Sequence, residues 1–287
     1  MITCMKYGLS LPHLGTLASA NAIRAVAQRA EEIGYDSLWV LQRTLKPVQP
    51  QVPYPATADG QLPDEYNIVF DPIESLTFAA AVTSRVRLGT SVIVLSNHYP
   101  LMLAHRLATL DQLSGGRLIC GFGVGWSKDE IEAAGVKFET RGRRADEFVR
   151  ALKAIWKEDP VEFRGEFFQI PKSYIGPKPV QKPHPPIIFG GYVGKTFERV
   201  IDHGSGWNPA GVPPEHLRGM IEGMRSAAKA KGKRPEDFSV YCRIFYHPTK
   251  EQFKELESMG VDHVILDINF GFSSLDAVLK RMEEIKP

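Results

Sequence analysis

Short apolar runs alternate along this chain with longer segments in which apolar residues recur every three or four positions. The clearest example lies in residues 85–125. Residues 86–95 form an almost unbroken aliphatic run, which is typical of a strand covered on both faces. A helix is predicted next, because Pro100 suits a first helical turn and leucines follow at helical spacing. Residues 117–122 resume as a strand, so this stretch predicts two parallel strands joined by a helix.

The same alternation continues through the chain and predicts eight strand–helix pairs. The predicted strands cover residues 7–11, 37–41, 86–95, 117–122, 187–189, 206–208, 239–246 and 263–268. Eight parallel strands favour a (β/α)8 TIM barrel over an open doubly wound sheet. A chain of 287 residues suits a single barrel domain, which we expect to span residues 1–287.

Two segments interrupt this pattern. Residues 42–70 contain five prolines and an Asp59-Gly60 turn, and they follow the second predicted strand. Because the ligands of parallel α/β folds lie at the carboxyl ends of the strands, we interpret this insertion as a lid. Residues 158–186 contain a predicted hairpin at 161–170 and a proline-rich stretch, which we interpret as a second insertion.

The composition excludes several function classes. Hydrophobic residues make up 43% of the chain, and 35 basic residues nearly balance 33 acidic ones. This balance predicts no nucleic-acid partner. Cys4, Cys120 and Cys242 are too far apart for a disulfide framework or a CxxC metal clip, and we predict no metal site. We find no export signal and no apolar stretch of membrane-spanning length, so we expect a cytoplasmic protein.

Two glycine-rich loops follow predicted strands, each with a predicted helix behind it. Backbone N–H groups at such a turn can bind an anion, and two such loops at one barrel edge favour a phosphate-bearing ligand. Neither has the spacing of a dinucleotide-binding fingerprint. Together with the end of the third strand, they supply the predicted cofactor-binding residues Ser91, Val92, Gly123, Val124, Gly125, Gly190, Gly191, Tyr192, Gly194, Lys195 and Thr196.

Three polar residues at strand ends are candidates for catalysis. His13 follows the first predicted strand, Arg43 the second and His98 the third. A histidine can transfer protons near neutral pH, although each of the three could instead have a structural role. No Ser-His-Asp arrangement, HExxH motif or metal-ligand cluster is evident, which argues against a hydrolase.

Four motifs carry a resemblance that spans nearly the whole chain. They are AEEIGYDSLWV at 30–40, RLGTSV at 87–92, ATLDQLSGGR at 108–117 and GFGVGW at 121–126. With these motifs the chain resembles the bacterial-luciferase-like superfamily of flavin- and deazaflavin-dependent oxidoreductases. Within that superfamily it is most similar to the branch that uses the deazaflavin coenzyme F420.

The resemblance implies a cofactor ring across the barrel mouth, against a bulge with a cis peptide bond at Ser91–Val92. It also implies that the glycine loops hold the cofactor phosphate and ribityl chain, and that the chain is a homodimer. Two positions depart from the family. Gln42-Arg43 stands where many relatives have an acidic residue and histidine, and Trp126 stands where one branch has a glutamate proton donor.

These observations lead to a hypothesis about function and to three rivals. The leading hypothesis is an oxidoreductase that transfers hydride between F420 and a small organic substrate under the lid. An FMN-dependent luciferase-like monooxygenase is the main alternative. A non-catalytic flavin-binding protein and a cofactor-free phosphate-binding barrel, such as an isomerase or aldolase, also remain open.

Overall fold

Parallel strands alternate with helices in the computed structural model, which describes residues 5–55, 57, 59–192, 194–246 and 248–285. The strands are β1 (Lys6–Ser10), β2 (Ser37–Val40), β3 (Arg87–Thr90), β4 (Ile93–Val94), β5 (Leu118–Gly123), β6 (Val161–Arg164), β7 (Gln169–Ser173), β8 (Ile187–Gly190), β9 (Gly206–Asn208), β10 (Ser239–Ile244) and β11 (His263–Leu266). The α-helices are α1 (Ala20–Ile33), α2 (Pro72–Val82), α3 (Pro100–Leu113), α4 (Lys128–Ala133), α5 (Arg141–Lys157), α6 (Gly194–His203), α7 (Pro214–Ala230), α8 (Lys250–Met259) and α9 (Leu275–Glu284).

The main sheet closes on itself. Its strand order is β3-β2-β1-β11-β10-β9-β8-β5-β4, and β3 also pairs with β5. Each of these pairings is parallel. Because β3 and β4 together occupy one position, the described strands form an eight-stranded barrel surrounded by helices, as in a TIM barrel. The predicted fold class is therefore confirmed.

The third barrel position is divided into two short strands. β3 ends at Thr90, β4 begins at Ile93, and the Ser91–Val92 peptide bond between them is cis. At the break, the Thr90 hydroxyl donates to the carbonyl of Gly121 and accepts from its N–H, both at 2.8 Å. The bulge and the cis bond that the resemblance implied at Ser91–Val92 are therefore confirmed. The aliphatic pattern over residues 86–95 predicted the strand but not this interruption, because an aliphatic run does not reveal where its backbone leaves the ladder.

The helices begin and end where short-range signals place them. Ser19 accepts a hydrogen bond from the Ala22 N–H and caps α1, which ends at Gly34 with φ of 90°. Asp71 caps α2 in the same way, and α3 begins at Pro100 as predicted. Their apolar faces pack on the outside of the barrel in the largest hydrophobic cluster.

The inside of the barrel is filled by a second cluster. Its members are Trp39, Ile119, Ile188, Tyr241 and Ile265. Trp39 is 1% exposed and its indole N–H donates to the Ser37 hydroxyl at 2.8 Å. Since these side chains pack the interior, a ligand site is confined to the ends of the strands.

The two insertions differ in structure. Residues 42–70 are mostly irregular, with one 3-10 turn at Asp64–Asn67, and residues 158–186 contain the antiparallel β6–β7 hairpin. The buried Glu147 carboxylate from α5 accepts hydrogen bonds from the N–H groups of Glu166, Phe167 and Phe168, each at 2.8 Å, and so fixes the hairpin turn. Among the described residues, we find no helix long and apolar enough to cross a membrane.

Candidate active site

A cavity of about 700 Å³ opens where the carboxyl ends of the barrel strands meet. This volume is within the range of small-molecule and cofactor sites. Every predicted cofactor-binding residue except Gly194 lines it, and so does Arg43. Further lining residues that the sequence analysis did not identify include Tyr54, Tyr66, Trp126, Glu139, Arg141, Arg199, Asn208, Arg243 and Phe245.

Val92, the second residue of the cis bond, lies between the two glycine loops. A Cβ atom added to Gly123 would lie 2.5 Å from the Val92 Cγ2, and one added to Gly190 would lie 2.9 Å from its Cγ1. Both distances are too short for non-bonded carbons. The glycines therefore leave room for the Val92 side chain, which forms part of the cavity floor.

Polar groups from three other strands hold this bulge in place. The Ser91 hydroxyl donates to the Asn208 Oδ1 at 2.7 Å, and the Arg243 Nη1 donates to the Ser91 carbonyl at 2.9 Å. Arg243 also pairs with Asp267 through Nε, at 2.9 Å from Oδ2, and through Nη2. Burial raises the pKa of Asp267, but Arg243 and hydrogen bonds outweigh it and hold that pKa below its ordinary value. Asp267 therefore stays ionised, and the pair fixes the backbone at the cis bond.

The glycine-loop side of the cavity is rich in cations. Arg141 donates to the Gly125 carbonyl at 3.3 Å, and its guanidinium carbon lies 3.6 Å from the centre of the Phe138 ring. Lys195 pairs with Glu198 at 3.0 Å, and Arg199 with Asp146 at 2.6 Å. All three cations line the cavity, and this donor set suits a phosphate or another anionic group.

The second glycine loop differs from the first in its relation to a helix. Helix α6 begins within that loop at Gly194, and Val193 lies outside the described residues. After the first loop, α4 begins only at Lys128, and the Ser127 hydroxyl accepts a hydrogen bond from the Glu130 N–H. The helix predicted behind the first loop is therefore present, with Ser127 as its N-cap, whereas α6 opens directly beside the cavity.

His13 does not lie at the cavity. It is fully buried, its Nδ1 donates to the Leu11 carbonyl at 2.7 Å, and its Nε2 accepts from the Leu41 N–H at 3.0 Å. Burial lowers the pKa of His13 to about 4. The ring is therefore neutral at pH 7 and joins the ends of β1 and β2, which is a structural role.

His98 lies behind the cavity lining. Its Nε2 accepts a hydrogen bond from the Gln42 amide nitrogen at 2.9 Å, while the Gln42 Oε1 accepts from the Val94 N–H at 2.8 Å. Burial lowers the pKa of His98 to about 4, and the positive charge of Arg106 adds to this effect. His98 thus positions Gln42, and the structure gives it no direct access to a ligand.

Arg43 is the candidate catalytic residue that the structure brings to the cavity. Its Nη1 lies 2.8 Å from the Glu130 Oε2, and the two side chains are 8% and 2% exposed. The guanidinium carbon lies 4.9 Å from the centre of the Trp126 ring. A guanidinium does not give up its proton in proteins, so Arg43 can bind and orient a ligand but cannot act as an acid or base.

Four aromatic side chains form what we call the aromatic wall: Tyr54, Tyr66, Trp126 and Phe245. Tyr54 and Tyr66 come from the insertion, and their hydroxyl oxygens are 3.4 Å apart. The Tyr54 ring packs against the Trp126 ring at 5.2 Å between centres. Residues 42–70 therefore supply one side of the cavity, although their proline-rich pattern did not indicate which side chains face it.

The cavity thus has two chemically different parts. The glycine loops, Val92 and the cations can contact a phosphate-bearing ligand, whereas the aromatic wall and Arg43 line the same cavity with mostly apolar surface. Among the described residues, no group of three or more side chains is arranged to hold a metal ion. The arrangement suits chemistry between an organic cofactor and a second small molecule.

The chain is similar to known proteins in sequence and in structure. The sequence pattern of the family described as luciferase-like monooxygenase matches residues 5–267. The uncharacterized protein Rv0953c of Mycobacterium tuberculosis is 40% identical over 267 residues, which are 91% of each chain. An FMNH(2)-dependent dimethylsulfone monooxygenase of Pseudomonas putida is 36% identical over 137 residues, 46% of this chain and 38% of that protein. The structure of an F420-dependent secondary alcohol dehydrogenase superposes with a TM-score of 0.80 at 17% identity, covering 99% of this chain and 98% of the other.

Proposed function

We propose that this chain, which belongs to the luciferase-like monooxygenase family, is an oxidoreductase that transfers hydride between coenzyme F420 and a small organic substrate. The observation that carries the proposal is Val92, whose side chain lies between Gly123 and Gly190 on the cavity floor. Because a Cβ atom at either glycine would lie within 3 Å of a Val92 methyl group, the glycines are needed to accommodate this side chain below the open cavity.

The residues of the glycine-loop side would hold the coenzyme. Its ring would rest against Val92, and its phosphate would meet the N–H groups near Gly191 and at the start of α6. Arg141, Lys195 and Arg199 supply positive charge for the phosphate and for the acidic tail that F420 carries beyond it. When bound, F420 supplies a donor or acceptor of two electrons as hydride.

The chain itself would orient the substrate, exclude water and hold a proton. The aromatic wall covers the substrate side and strengthens polar interactions there by removing solvent. Burial raises the pKa of Tyr66 well above its ordinary value, so its hydroxyl stays protonated at neutral pH. It can give this proton only to a strong base, such as the alkoxide that forms when hydride adds to a carbonyl group. The Tyr54 hydroxyl, 3.4 Å away, can replace that proton.

An FMN-dependent monooxygenase is the second candidate, supported by the similarity to the dimethylsulfone monooxygenase. The same glycine loops and cations suit the phosphate of FMN. The two candidates differ in their need for molecular oxygen, because only the monooxygenase would consume it.

Turnover under controlled gas separates these candidates. The purified protein is mixed with chemically reduced F420 or reduced FMN and with a panel of small organic substrates, with and without oxygen. Substrate-dependent loss of reduced F420 without oxygen supports the proposal. Substrate oxidation that requires oxygen and reduced FMN would support the monooxygenase instead, and binding of a coenzyme without any turnover would favour a non-catalytic flavin-binding protein.

A further inference from the structure

Five aromatic rings form a continuous series of contacts along one side of the cavity. The series runs from Trp126 through Tyr54, Tyr66 and Phe270 to Phe245, and successive ring centres are 5.2, 6.0, 5.9 and 6.1 Å apart. Four of these rings are the aromatic wall, and Phe270 connects Tyr66 to Phe245. Because the rings come from separate segments of the chain, the closed barrel and its insertion assemble this surface together.

The rings meet one another at steep angles, so they do not cover one another's faces. The angles between successive ring planes are 43°, 66°, 45° and 85°, and none of these pairs is stacked. Phe245 is 40% exposed, and Tyr54 and Trp126 are partly exposed. Contiguous apolar surface of this kind in the lining of a cavity indicates a ligand that covers it.

The aromatic wall is held in place by groups around it. A small cluster of buried leucines from the barrel and the insertion packs against its rings. The guanidinium carbon of Arg43 lies 4.9 Å from the centre of the Trp126 ring and 6.0 Å from that of Tyr66, and the guanidinium carbon of Arg243 lies 5.1 Å from the centre of Phe245. Each arginine is fixed by its own carboxylate. Since these contacts already order the rings, a ligand that binds them loses little affinity to side-chain entropy.

A surface of this kind favours flat aromatic ligands over saturated ligands of the same size. Any apolar ligand gains free energy from burial against the wall, in proportion to the area that it covers. An aromatic ring gains more, because aromatic rings attract one another in offset-stacked and perpendicular arrangements in addition to the effect of burial. The difference between the two kinds of ligand is therefore the property that identifies the occupant of this surface.

We propose that the substrate of this site is a planar aromatic compound that packs its ring on the aromatic wall, with Phe245 as a specificity-determining residue. This inference rests on the proposed function, since it assigns the substrate of the same cavity. Val92 and the glycine loops provide the place for the coenzyme ring, which leaves the wall for the second molecule. Phe245 is the most exposed ring of the wall and therefore offers the largest free surface.

Calorimetry with matched alcohols tests this assignment without any turnover. Benzyl alcohol is compared with cyclohexylmethanol, and 2-naphthalenemethanol with its decahydro analogue, so each pair shares a hydroxymethyl group and a carbon skeleton and differs in aromaticity. Each alcohol is titrated into the coenzyme-free protein and into protein saturated with the coenzyme that the protein binds. Phe245→Leu removes the ring and keeps an apolar side chain. Tyr174→Leu is the matched control, because Tyr174 is 82% exposed and lies outside the cavity.

We expect at least one aromatic alcohol to bind the coenzyme-saturated protein with a Kd about fivefold lower than that of its saturated partner. Phe245→Leu should raise the Kd of the aromatic alcohol about fivefold and change that of the saturated partner by no more than about twofold, whereas Tyr174→Leu should change neither. A second readout is the NMR spectrum of the alcohol. Its ring protons should shift upfield on binding because they lie over aromatic faces, and this shift should shrink in Phe245→Leu.

Four results would overturn the inference: equal or tighter binding of the saturated alcohols, no binding of either aromatic alcohol, an unchanged Kd of the aromatic alcohol in Phe245→Leu, or loss of its binding once the coenzyme is bound. The last result would assign the aromatic wall to the coenzyme. Failure of the proposed function would appear instead as the absence of coenzyme binding in a separate titration, and the coenzyme-free protein would still test the wall. Comparison of the thermal unfolding of Phe245→Leu with that of the wild-type protein shows whether the variant is folded.

Discussion

Val92 and the two glycines that flank it are closely fitted residues of the cavity floor. A Cβ atom added to Gly123 or to Gly190 would lie within 3 Å of a Val92 methyl group. Single side-chain atoms therefore decide the shape of the cavity floor. The sequence indicated glycine loops that bind a ligand, but it could not show that the glycines also accommodate Val92. That contact joins residues that are far apart in the chain.

Gly123→Ala should weaken coenzyme binding by tilting Val92 or displacing the loop. The added methyl group would lie 2.5 Å from the Val92 Cγ2, and overpacking of this kind costs about 1–3 kcal/mol. The coenzyme Kd, measured by fluorescence titration, should rise about tenfold. Gly219→Ala is the matched control, because it lies within α7 with no atom near its added Cβ, and it should stabilise the protein by about 0.5–1 kcal/mol with no change in Kd. Equal Kd values for both variants would contradict this view of the cavity floor.

The position of a histidine at the end of a strand does not by itself indicate a catalytic role. His13 has the right place in the sequence for proton transfer, but its ring nitrogens are used by the backbone of Leu11 and Leu41. His13 therefore stabilises the barrel. Its protonation should change the free energy of unfolding and not the catalytic rate.

Acid should destabilise the protein partly through His13. The pKa of His13 is about 4 in the folded protein against 6.5 for the free side chain, so the unfolded chain binds more protons between those values. Stability is then fully present above pH 6.5 and falls with acidification, by about 3 kcal/mol at pH 4 from this group. Urea unfolding of the wild-type protein and of His13→Gln, at pH 7 and at pH 4, measures this contribution of His13 to the free energy of unfolding. The loss of unfolding free energy on acidification should be about 3 kcal/mol smaller in the variant, and an equal loss would refute it.

Tyr66 is the group that we expect to supply the proton. Tyr66→Phe removes the hydroxyl while keeping the ring that packs against Phe270. We expect kcat to fall about 100-fold, since a positioned acid contributes roughly 10²–10⁴-fold, while the coenzyme Kd stays the same. Tyr246→Phe, at a tyrosine that does not line the cavity, serves as the control. An unchanged kcat in Tyr66→Phe would exclude Tyr66 as the donor.

The insertion at residues 42–70 is held to the barrel by the short helix α4. Gln51 donates to Asp129 from its backbone N–H at 3.0 Å and from its side-chain amide at 3.2 Å, and Glu130 holds Arg43 and Thr44. The prolines indicated an excursion at the ligand-binding edge, and the structure places it there. Its anchoring could not be predicted, because it depends on carboxylates 78 to 87 residues further along the chain.

Removal of the Asp129 contacts should loosen the insertion without unfolding the barrel. In Asp129→Ala we expect amide hydrogen exchange in residues 42–55 to accelerate about threefold, as suits the loss of a net 0.5–1 kcal/mol interaction at an exposed site. Asp129→Asn retains an acceptor oxygen and should show a smaller change. Equal exchange in the wild-type protein and both variants would mean that Gln51 does not anchor the insertion.

The whole barrel could be predicted largely from local patterns, whereas its site could be predicted only in part: the glycine loops were found, and the residues that reach the cavity from distant strands were not. Strand–helix alternation, helix caps and glycine loops all act over short sequence distances, so the sequence indicates them directly. Arg243 lies within the apolar β10 and donates to the Ser91 carbonyl, 152 residues away in sequence. Asn208, in a short strand with a weak pattern, accepts a hydrogen bond from the Ser91 hydroxyl. Such contacts exist only once the barrel closes, which is why the sequence analysis missed both residues.

We propose that this barrel holds a tricyclic redox coenzyme against Val92, and that the coenzyme is F420. The most direct measurement is an equilibrium titration of the purified protein with F420 and, separately, with FMN, followed by the fluorescence of each coenzyme. We predict saturable one-to-one binding of F420 that FMN does not displace. Binding of FMN in preference to F420 would contradict the choice of coenzyme, and binding of neither would contradict the account of the cavity itself.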